Sequence, residues 1–278
     1  MIKPSPVRPF LKWAGNKYRL LERVLPLIRE ARGERLIEPF AGAGAVFLNA
    51  DLPQNRIADV NADLISLFED VRNEPTRFIE DCRQLFVPEN NCPEAYYKFR
   101  EEFNRSADRH RKNLLFLYMN RHGYNGLCRY NAKGRFNVPF GRYKAPYFPE
   151  KELQAFACAA SQATFSCQPF SVTFEEAGAG DVVYCDPPYV PHSTTANFSS
   201  YSSGGFGPSD QDRLAEFAVK SAARGATVII SNHDNAKTRQ LYHEAHIVSF
   251  EVRRLISCNG EKRNRVPELL AVFSPNRH

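Results

Sequence analysis

Leu36-Ile37-Glu38-Pro39-Phe40-Ala41-Gly42-Ala43-Gly44 is the stretch that decides the fold class. A short apolar run ends in closely spaced glycines, and Ala45-Val46-Phe47-Leu48 then reads as helical, so the order is strand, glycine loop and helix start. The next short strand, Arg56-Ile57-Ala58, ends at Asp59, with Asn61 or Asp63 placed to cap a helix through Leu64, Leu67 and Phe68. Asp181-Val182-Val183-Tyr184-Cys185 is a buried-strand run that delivers Asp186-Pro187-Pro188-Tyr189 at its carboxyl end, the edge where open parallel sheets bind their ligands. Residues 227–231, 247–252 and 269–273 are further strand candidates. The pattern predicts an α/β chain with a doubly wound sheet. A polar Ser/Thr/Gly-rich loop over residues 190–208 is expected to be mobile, and Ser209 to cap a helix reaching about Arg224.

Between about 74 and 150 the character changes. Amphipathic helical stretches, Pro93 to Asn104 and Asp108 to Asn120, lead into an aromatic, basic, Gly/Asn-rich segment. There Leu127–Tyr130 and Arg135–Phe140 flank Asn131-Ala132-Lys133-Gly134, which predicts a β-hairpin over about 127–140. Residues 74–150 therefore read as an insertion, and residues 1–73 and 151–278 as one catalytic domain.

Length and charge narrow the function classes. The 278 residues carry 37 Lys plus Arg against 31 Asp plus Glu, a formal net charge of +6. The longest clean apolar run, Leu114 to Met119, is far shorter than a bilayer span, and Met1 to Pro6 has no apolar signal core, which predicts a cytoplasmic protein. Its 7 cysteines, at 82, 92, 128, 158, 167, 185 and 258, form no C-x-x-C pair and suit neither a disulfide framework nor a zinc ribbon. His243 and His246 flank Glu244 without the one-turn spacing of a metal site, so no metal is expected. The basic excess is concentrated: from Arg109 to Pro149 there is no acid, while Arg109, Arg111, Lys112, Arg121, Arg129, Lys133, Arg135, Arg142 and Lys144 all fall there. Tyr124, Tyr130, Phe136, Phe140, Tyr143 and Tyr147 interleave with them, a mix suited to gripping phosphates and to stacking on or wedging between bases. The bland alternative is a solvated basic face with its aromatics folded inward.

Gly42 and Gly44 do not complete a dinucleotide fingerprint, because position 47 is Phe, and hydride transfer is disfavoured. Asp59, after the next strand, lies where a carboxylate accepts both hydroxyls of a ribose, so a nucleoside-containing ligand without pyrophosphate fits best. In Asp186-Pro187-Pro188-Tyr189 the prolines stiffen the strand end and leave the Pro187 carbonyl outside any ladder. Asp186 and that carbonyl together can accept both N–H groups of an exocyclic amine, orient its lone pair and raise its nucleophilicity, with Tyr189 as a flat face for the heterocycle.

These residues resemble a known family. Phe40-Ala41-Gly42-Ala43-Gly44 matches the F-x-G-x-G motif, and Asp186-Pro187-Pro188-Tyr189 the catalytic motif, of alpha-class S-adenosylmethionine-dependent amino methyltransferases, in which the target-recognition insert lies between the two. Lys12-Trp13-Ala14-Gly15, Asn120-Arg121, the stretch Gly123 to Asn131 and the stretch Phe136 to Tyr143 closely resemble the Dam family of DNA adenine methyltransferases, over about Phe10 to Phe273. Asn16 stands where that family usually has a second glycine, and Cys258 where it has a small serine.

The resemblance implies a Rossmann-like class I methyltransferase sheet with an inserted helical and β-hairpin DNA-recognition domain, and methyl transfer to N6 of a flipped adenine in duplex GATC. Asp186, Pro187, Pro188 and Tyr189 match the catalytic positions. Trp13, Lys17, Phe40, Gly42, Gly44, Asp59 and Asp186 match contacts to S-adenosylmethionine, with Lys17 suited to the methionine carboxylate and Trp13 to the sulfonium. On the DNA side the family places Lys12 on the first guanine, Leu127, Arg129 and Pro139 on the other bases, and Tyr124 as a wedge with Asn125 nearby. Arg142, Tyr143 and Lys144 match phosphate or flanking contacts. The expected enzyme is a monomer that needs double-stranded DNA, no membrane and no obligate protein partner. The rival readings are an adenine methyltransferase acting on structured RNA and a DNA-binding regulator that keeps the cofactor pocket without turnover.

Overall fold

The computed structural model describes residues 5–190, 205–253 and 265–275. A single 3₁₀ turn over Lys17–Leu20 runs into α1 (Leu21–Glu30), followed by β1 (Arg35–Glu38), β2 (Gln54–Asp59), α2 (Ala62–Asn73), α3 (Pro75–Arg83), α4 (Pro93–Arg105) and α5 (Arg109–His122). After the loop segment come α6 (Glu150–Ala160), β3 (Ala163–Cys167), α7 (Phe170–Glu175), β4 (Asp181–Cys185), α8 (Pro208–Ala223), β5 (Thr227–His233), α9 (Ala236–Leu241), β6 (His246–Arg253) and β7 (Arg265–Phe273). The strands form one sheet in the order β3-β2-β1-β4-β5-β7-β6. β3 through β5 are parallel neighbours, while β7 runs antiparallel to both β5 and β6. This is a doubly wound, Rossmann-like sheet, as expected. No helix among the described residues is long and apolar enough to cross a membrane.

Successive strand residues face opposite sides, and both sides are covered. Leu36, Ile57, Val182 and Ile229 join one core with Phe68, Phe156 and Phe165, whereas Ile37, Val183, Val228 and Ile230 join another with Phe174, Leu214 and Tyr242. That is why β4 and β5 carry no polar alternation over their central residues. The first core continues without a break through Phe78, Tyr96, Phe103, Phe116 and Phe136, so helices α3 to α5 share one apolar interior with that face of the sheet. From β1 the chain winds outward to β2 and β3, then returns to β4 on the other side of β1. The crevice at the carboxyl ends of β1 and β4 is therefore the topological switch point, where such sheets bind ligands.

Several local expectations are corrected. The helix expected after Gly44 is only a 3₁₀ turn at Phe47–Asn49, because the chain must reverse within a few residues, with Asp51 left-handed, to enter β2. Asn61 is the cap of α2: its side chain accepts from the amides of Asp63 and Leu64, at 3.1 Å each. Helix α8 is capped at Gly207 rather than Ser209, since Pro208 fits the first helical position and the Asp210 carboxylate reaches back 2.9 Å to the Gly207 amide. The expected hairpin over 127–140 has no continuous strands: only the Gly123–Phe140 and Tyr130–Phe136 bridges form. Its turn is nevertheless closed by Asn131, whose amide donates to the Arg135 carbonyl at 2.9 Å. α1, α3, α6, β3, α7 and α9 went unanticipated. The mobile loop expected over 190–208 falls mostly outside the described residues, as does Cys258.

Candidate active site and nucleic-acid interface

The glycine loop follows β1 directly. Gly42 and Gly44 both have left-handed φ, +48° and +71°, which explains glycine at each position. A Cβ on Gly42 would stand 3.1 Å from the Trp13 indole nitrogen, so Trp13 lies against this bare backbone. Asp59, at the end of β2, secures the loop: one carboxylate oxygen accepts from the Gly42 amide at 3.1 Å and the other from the Asn61 amide at 2.9 Å. Burial pushes the Asp59 carboxyl up, opposed by these backbone donors. Phe40 packs in an aromatic cluster, stacked on Phe170 at 5.5 Å and edge-on to Phe206 at 5.6 Å.

Asp186 stands across the crevice, immediately after β4. Its Oδ1 receives the Lys17 ammonium at 2.7 Å and the Ser231 hydroxyl at 3.0 Å. Oδ2 has no hydrogen bond among the described residues, although the side chain is 22% exposed and reachable. Burial pushes the Asp186 carboxyl up, and Lys17 and Ser231 pull it down. Lys17 does not point away toward an open carboxylate subsite, as its expected cofactor role suggested. Its ammonium is held between Asp186 and the Gly15 carbonyl, 2.7 Å away, and lies 4.5 Å from the centre of the Tyr189 ring, because the 3₁₀ turn drops it inward beside the strongest local anion. The Pro187 carbonyl receives no protein donor among the described residues, while that of Pro188 accepts from Gln211 at 2.7 Å. Tyr189 meets His233 edge-on at 4.8 Å and donates to Glu268 at 3.3 Å.

Glu38, the last residue of β1, was not anticipated in any role. It is buried, one carboxyl oxygen has no partner among the described residues, and burial pushes its pKa up to about 8. The folded protein thus keeps a proton that the unfolded chain releases above pH 4.5, so stability falls as pH rises from there and levels off past pH 8. Glu38→Gln removes this dependence. The expected outcome is that wild type loses about 2–3 kcal/mol more stability than Glu38→Gln between pH 6 and pH 9, read from urea unfolding at both values. Parallel pH dependence in the two proteins would reject a protonated Glu38.

The basic segment is largely rearranged by its partners. Arg109 pairs with Glu69, Arg111 with Glu102, Lys112 with Asp63 and Arg135 with Glu101. Arg121 is buried, donates to the Phe10 carbonyl, and is pulled down to about 10 by burial. Arg129, Lys133, Arg142 and Lys144 have no ion pair among the described residues and are exposed. The aromatics divide similarly. Phe136 is buried, Phe140 packs on Tyr96, and Tyr130 donates to Asp63 at 2.7 Å, whereas Tyr124 and Tyr147 are exposed, at 51% and 55%. Tyr130, Phe136 and Phe140 are thus unavailable to bases: they anchor the loop to α2 and α4.

The remaining residues gather around Lys12. Its amide and carbonyl are clamped by the Asn120 side chain at 2.9 and 2.7 Å, and its ammonium lies 4.0 Å from the centre of the Tyr143 ring. A Cβ on Gly126 would stand 2.3 Å from that of Lys12, so only glycine fits there. The Tyr143 hydroxyl accepts from the Asn125 amide at 2.9 Å, and the Tyr124 amide donates to the Pro139 carbonyl at 2.8 Å. Lys12, Tyr124, Asn125, Pro139 and Tyr143 are therefore joined, with Leu127 half-buried at their edge. Arg129 stands on the same loop, held by Asn137 through Nε at 2.8 Å. The Asn91 amide nitrogen fixes the carbonyls of Tyr143 and Lys144, at 2.8 and 3.2 Å. Asn120 and Asn137 are positioning residues that received no role in the sequence reading.

A nucleotide-type crevice with a strand-end Asp-Pro-Pro-Tyr beside a basic, aromatic surface defines an amino methyltransferase of nucleic acid. Residues 13–256 match the D12 class N6 adenine-specific DNA methyltransferase model. The chain is 53% identical over 270 residues to the DNA adenine methylase of Vibrio cholerae serotype O1, covering 97% of each. It is 52% identical over 271 residues to that of Escherichia coli K12, covering 96% of each, and 50% identical to that of Serratia marcescens over 96% of this chain and 98% of the relative. The chain belongs to the D12 class of N6 adenine-specific DNA methyltransferases. It is an enzyme that methylates adenine in DNA at specific sites, and its chemistry requires a methyl donor.

Proposed function

We propose that the enzyme transfers a methyl group from S-adenosylmethionine to N6 of adenine within GATC in duplex DNA, with the target base flipped out of the helix. The observation that carries this reading is Asp186, held through one oxygen and open through the other, across the switch-point crevice from the Gly42–Asp59 loop. GATC rests on the Dam resemblance and on relatives named DNA adenine methylases.

The crevice fits the cofactor. Left-handed Gly42 and Gly44 allow close approach of a ligand, Asp59 retains lone pairs for ribose hydroxyls, and the unpartnered Glu38 oxygen is a buried polar group beside the loop. Trp13 offers an aromatic face to a cation. When bound, S-adenosylmethionine supplies an electrophilic methyl group on sulfur. Asp186 Oδ2 and the Pro187 carbonyl accept the two N6 protons of the flipped adenine, which turns the amine lone pair toward the crevice. Tyr189 offers its face to the base, and the proton lost after transfer leaves to Asp186 or to water. Base flipping is the route by which a stacked adenine reaches such a crevice. Lys12, Tyr124, Asn125, Leu127, Arg129 and Pro139 meet the bases, and Arg142, Tyr143 and Lys144 the backbone and flanks.

Asp59→Asn places an amide N–H against backbone donors and removes the charge that strengthens ribose hydrogen bonds. Affinity for S-adenosylmethionine is expected to fall about tenfold by calorimetry. Unchanged affinity would reject Asp59 as the ribose ligand. Target choice is tested by methylating a random-sequence duplex library and mapping the modified adenines. Modification confined to GATC is the expected pattern, and equal modification of other tetranucleotides would overturn it.

A further inference from the structure

We propose that Ser231 is a positioning residue for methyl transfer: with Lys17 it holds Asp186 by a single oxygen, so that the other oxygen is presented to the target amine. The inference rests on the reading of Asp186 as the acceptor of that amine.

Ser231 belongs to β5, lies next to β4 in the sheet and is fully buried. The β4–β5 register pairs Tyr184 with Ile229 and Cys185 with Ile230, so the next step outward sets Ser231 beside Asp186. Its Oγ is 3.0 Å from Asp186 Oδ1 and 3.3 Å from the Cys185 carbonyl, and it accepts from the Tyr184 hydroxyl at 3.3 Å. A serine hydroxyl has one proton to give. The carboxylate is the closer and stronger acceptor, so the chain runs from Tyr184 to Ser231 to Asp186.

Lys17 reaches the same oxygen from the N-terminal segment at 2.7 Å and is itself tied to Gly15. A carboxylate held by one donor turns about its own axis and exchanges its oxygens. Two donors converging on Oδ1 from different elements fix the plane and leave Oδ2 with one direction. Orientation of this kind is where a reaction with little other assistance gains its rate.

The titratable and charged groups facing Asp186 are Lys17 from the 3₁₀ turn, Glu38 from β1, Tyr184 and Cys185 from β4, and Tyr189 after it. Burial drives the Asp186 carboxyl up, while Lys17 and Ser231 oppose it. Without the Ser231 hydroxyl, Lys17 alone opposes burial, and the carboxyl becomes protonated at a higher pH.

The test is single-turnover methylation of a GATC duplex by the full chain as a function of pH, with wild type, Ser231→Ala, Ser231→Thr and Asp186→Ala. Ser231→Ala is expected to slow the chemical step about tenfold, to leave DNA and S-adenosylmethionine affinities within twofold, and to move the acid limb of the rate profile upward by about half a pH unit. Ser231→Thr, which keeps the hydroxyl, restores the rate and the limb. If Ser231→Ala does not fold, Ser231→Cys takes its place, since its weak S–H donor predicts a smaller upward shift of the limb together with a smaller loss of rate. A wild-type rate and limb in Ser231→Ala, or a slower rate with an unmoved limb, overturns the positioning role. Full activity of Asp186→Ala would instead remove the acceptor reading beneath it, so the two failures are distinguishable.

Discussion

Asp186→Ala is expected to reduce the single-turnover rate of adenine methylation by about 10³-fold or more while leaving duplex affinity within a few-fold of wild type. In the proposed mechanism the carboxylate orients the amine, and loss of one preorganised polar contact at a reacting centre costs ~10²–10³ in rate. Loss of orientation adds to that. DNA affinity comes from elsewhere, because the exposed cations at Arg129, Lys133, Arg142 and Lys144 belong to the loop segment rather than to the strand end. Asp186→Asn separates charge from shape. Its amide oxygen still accepts from Ser231, but its neutral group pairs poorly with the Lys17 ammonium, so an intermediate loss is expected. Turnover by Asp186→Ala within tenfold of wild type would reject the mechanism.

Arg129→Ala is expected to relax target choice by up to ~3 kcal/mol at one base pair, the discrimination carried by a bidentate guanidinium contact to guanine. Asn137 holds Arg129 by Nε at 2.8 Å and, more loosely, through its carbonyl at 3.4 Å. The fork is thereby held in one orientation without DNA, which in the proposed reading makes its contact with guanine selective rather than merely attractive. Lys144→Ala has the opposite signature. Losing an exposed cation with no protein partner among the described residues weakens binding about equally on every sequence and makes the salt slope shallower by about one unit. Methylation of GATC against duplexes altered at each position, with binding at several salt concentrations, separates the two. Full discrimination by Arg129→Ala at every position would move base reading away from this loop.

The crevice was legible in the sequence because its parts are local. Gly42, Asp59 and Asp186 lie at the carboxyl end of a strand or just beyond it, and parallel strands bring those ends to one edge by topology alone. Ser231 and Glu38 were hidden for the converse reason. The role of Ser231 depends on the lateral register of β5 on β4, and Glu38 reads as one more strand residue until burial on every side is known. The basic stretch misled in part because its neutralising acids all lie outside it: Glu69 and Asp63 belong to α2, and Glu101 and Glu102 to α4. β3 escaped notice because it is a five-residue edge strand whose Ala163 and Phe165 face inward between exposed or half-exposed neighbours. The hairpin pattern located the turn at Asn131 but not the shortness of the pairing: within 127–140 the backbone pairs only at Tyr130–Phe136, whose rings also meet edge-on at 5.7 Å, while Tyr130 reaches Asp63 on α2 and Phe136 enters the core.

Labelled methyl transfer from S-adenosylmethionine to a GATC duplex, with the same sequence as an RNA hairpin in a parallel reaction and digestion of both products to nucleosides, tests the central claim most directly. The account predicts N6-methyladenine from the duplex DNA, none from the RNA, and a rate from the duplex about 10³-fold lower with Asp186→Ala. Label in the RNA, label at another atom of the base, or a rate with Asp186→Ala within tenfold of wild type would contradict it.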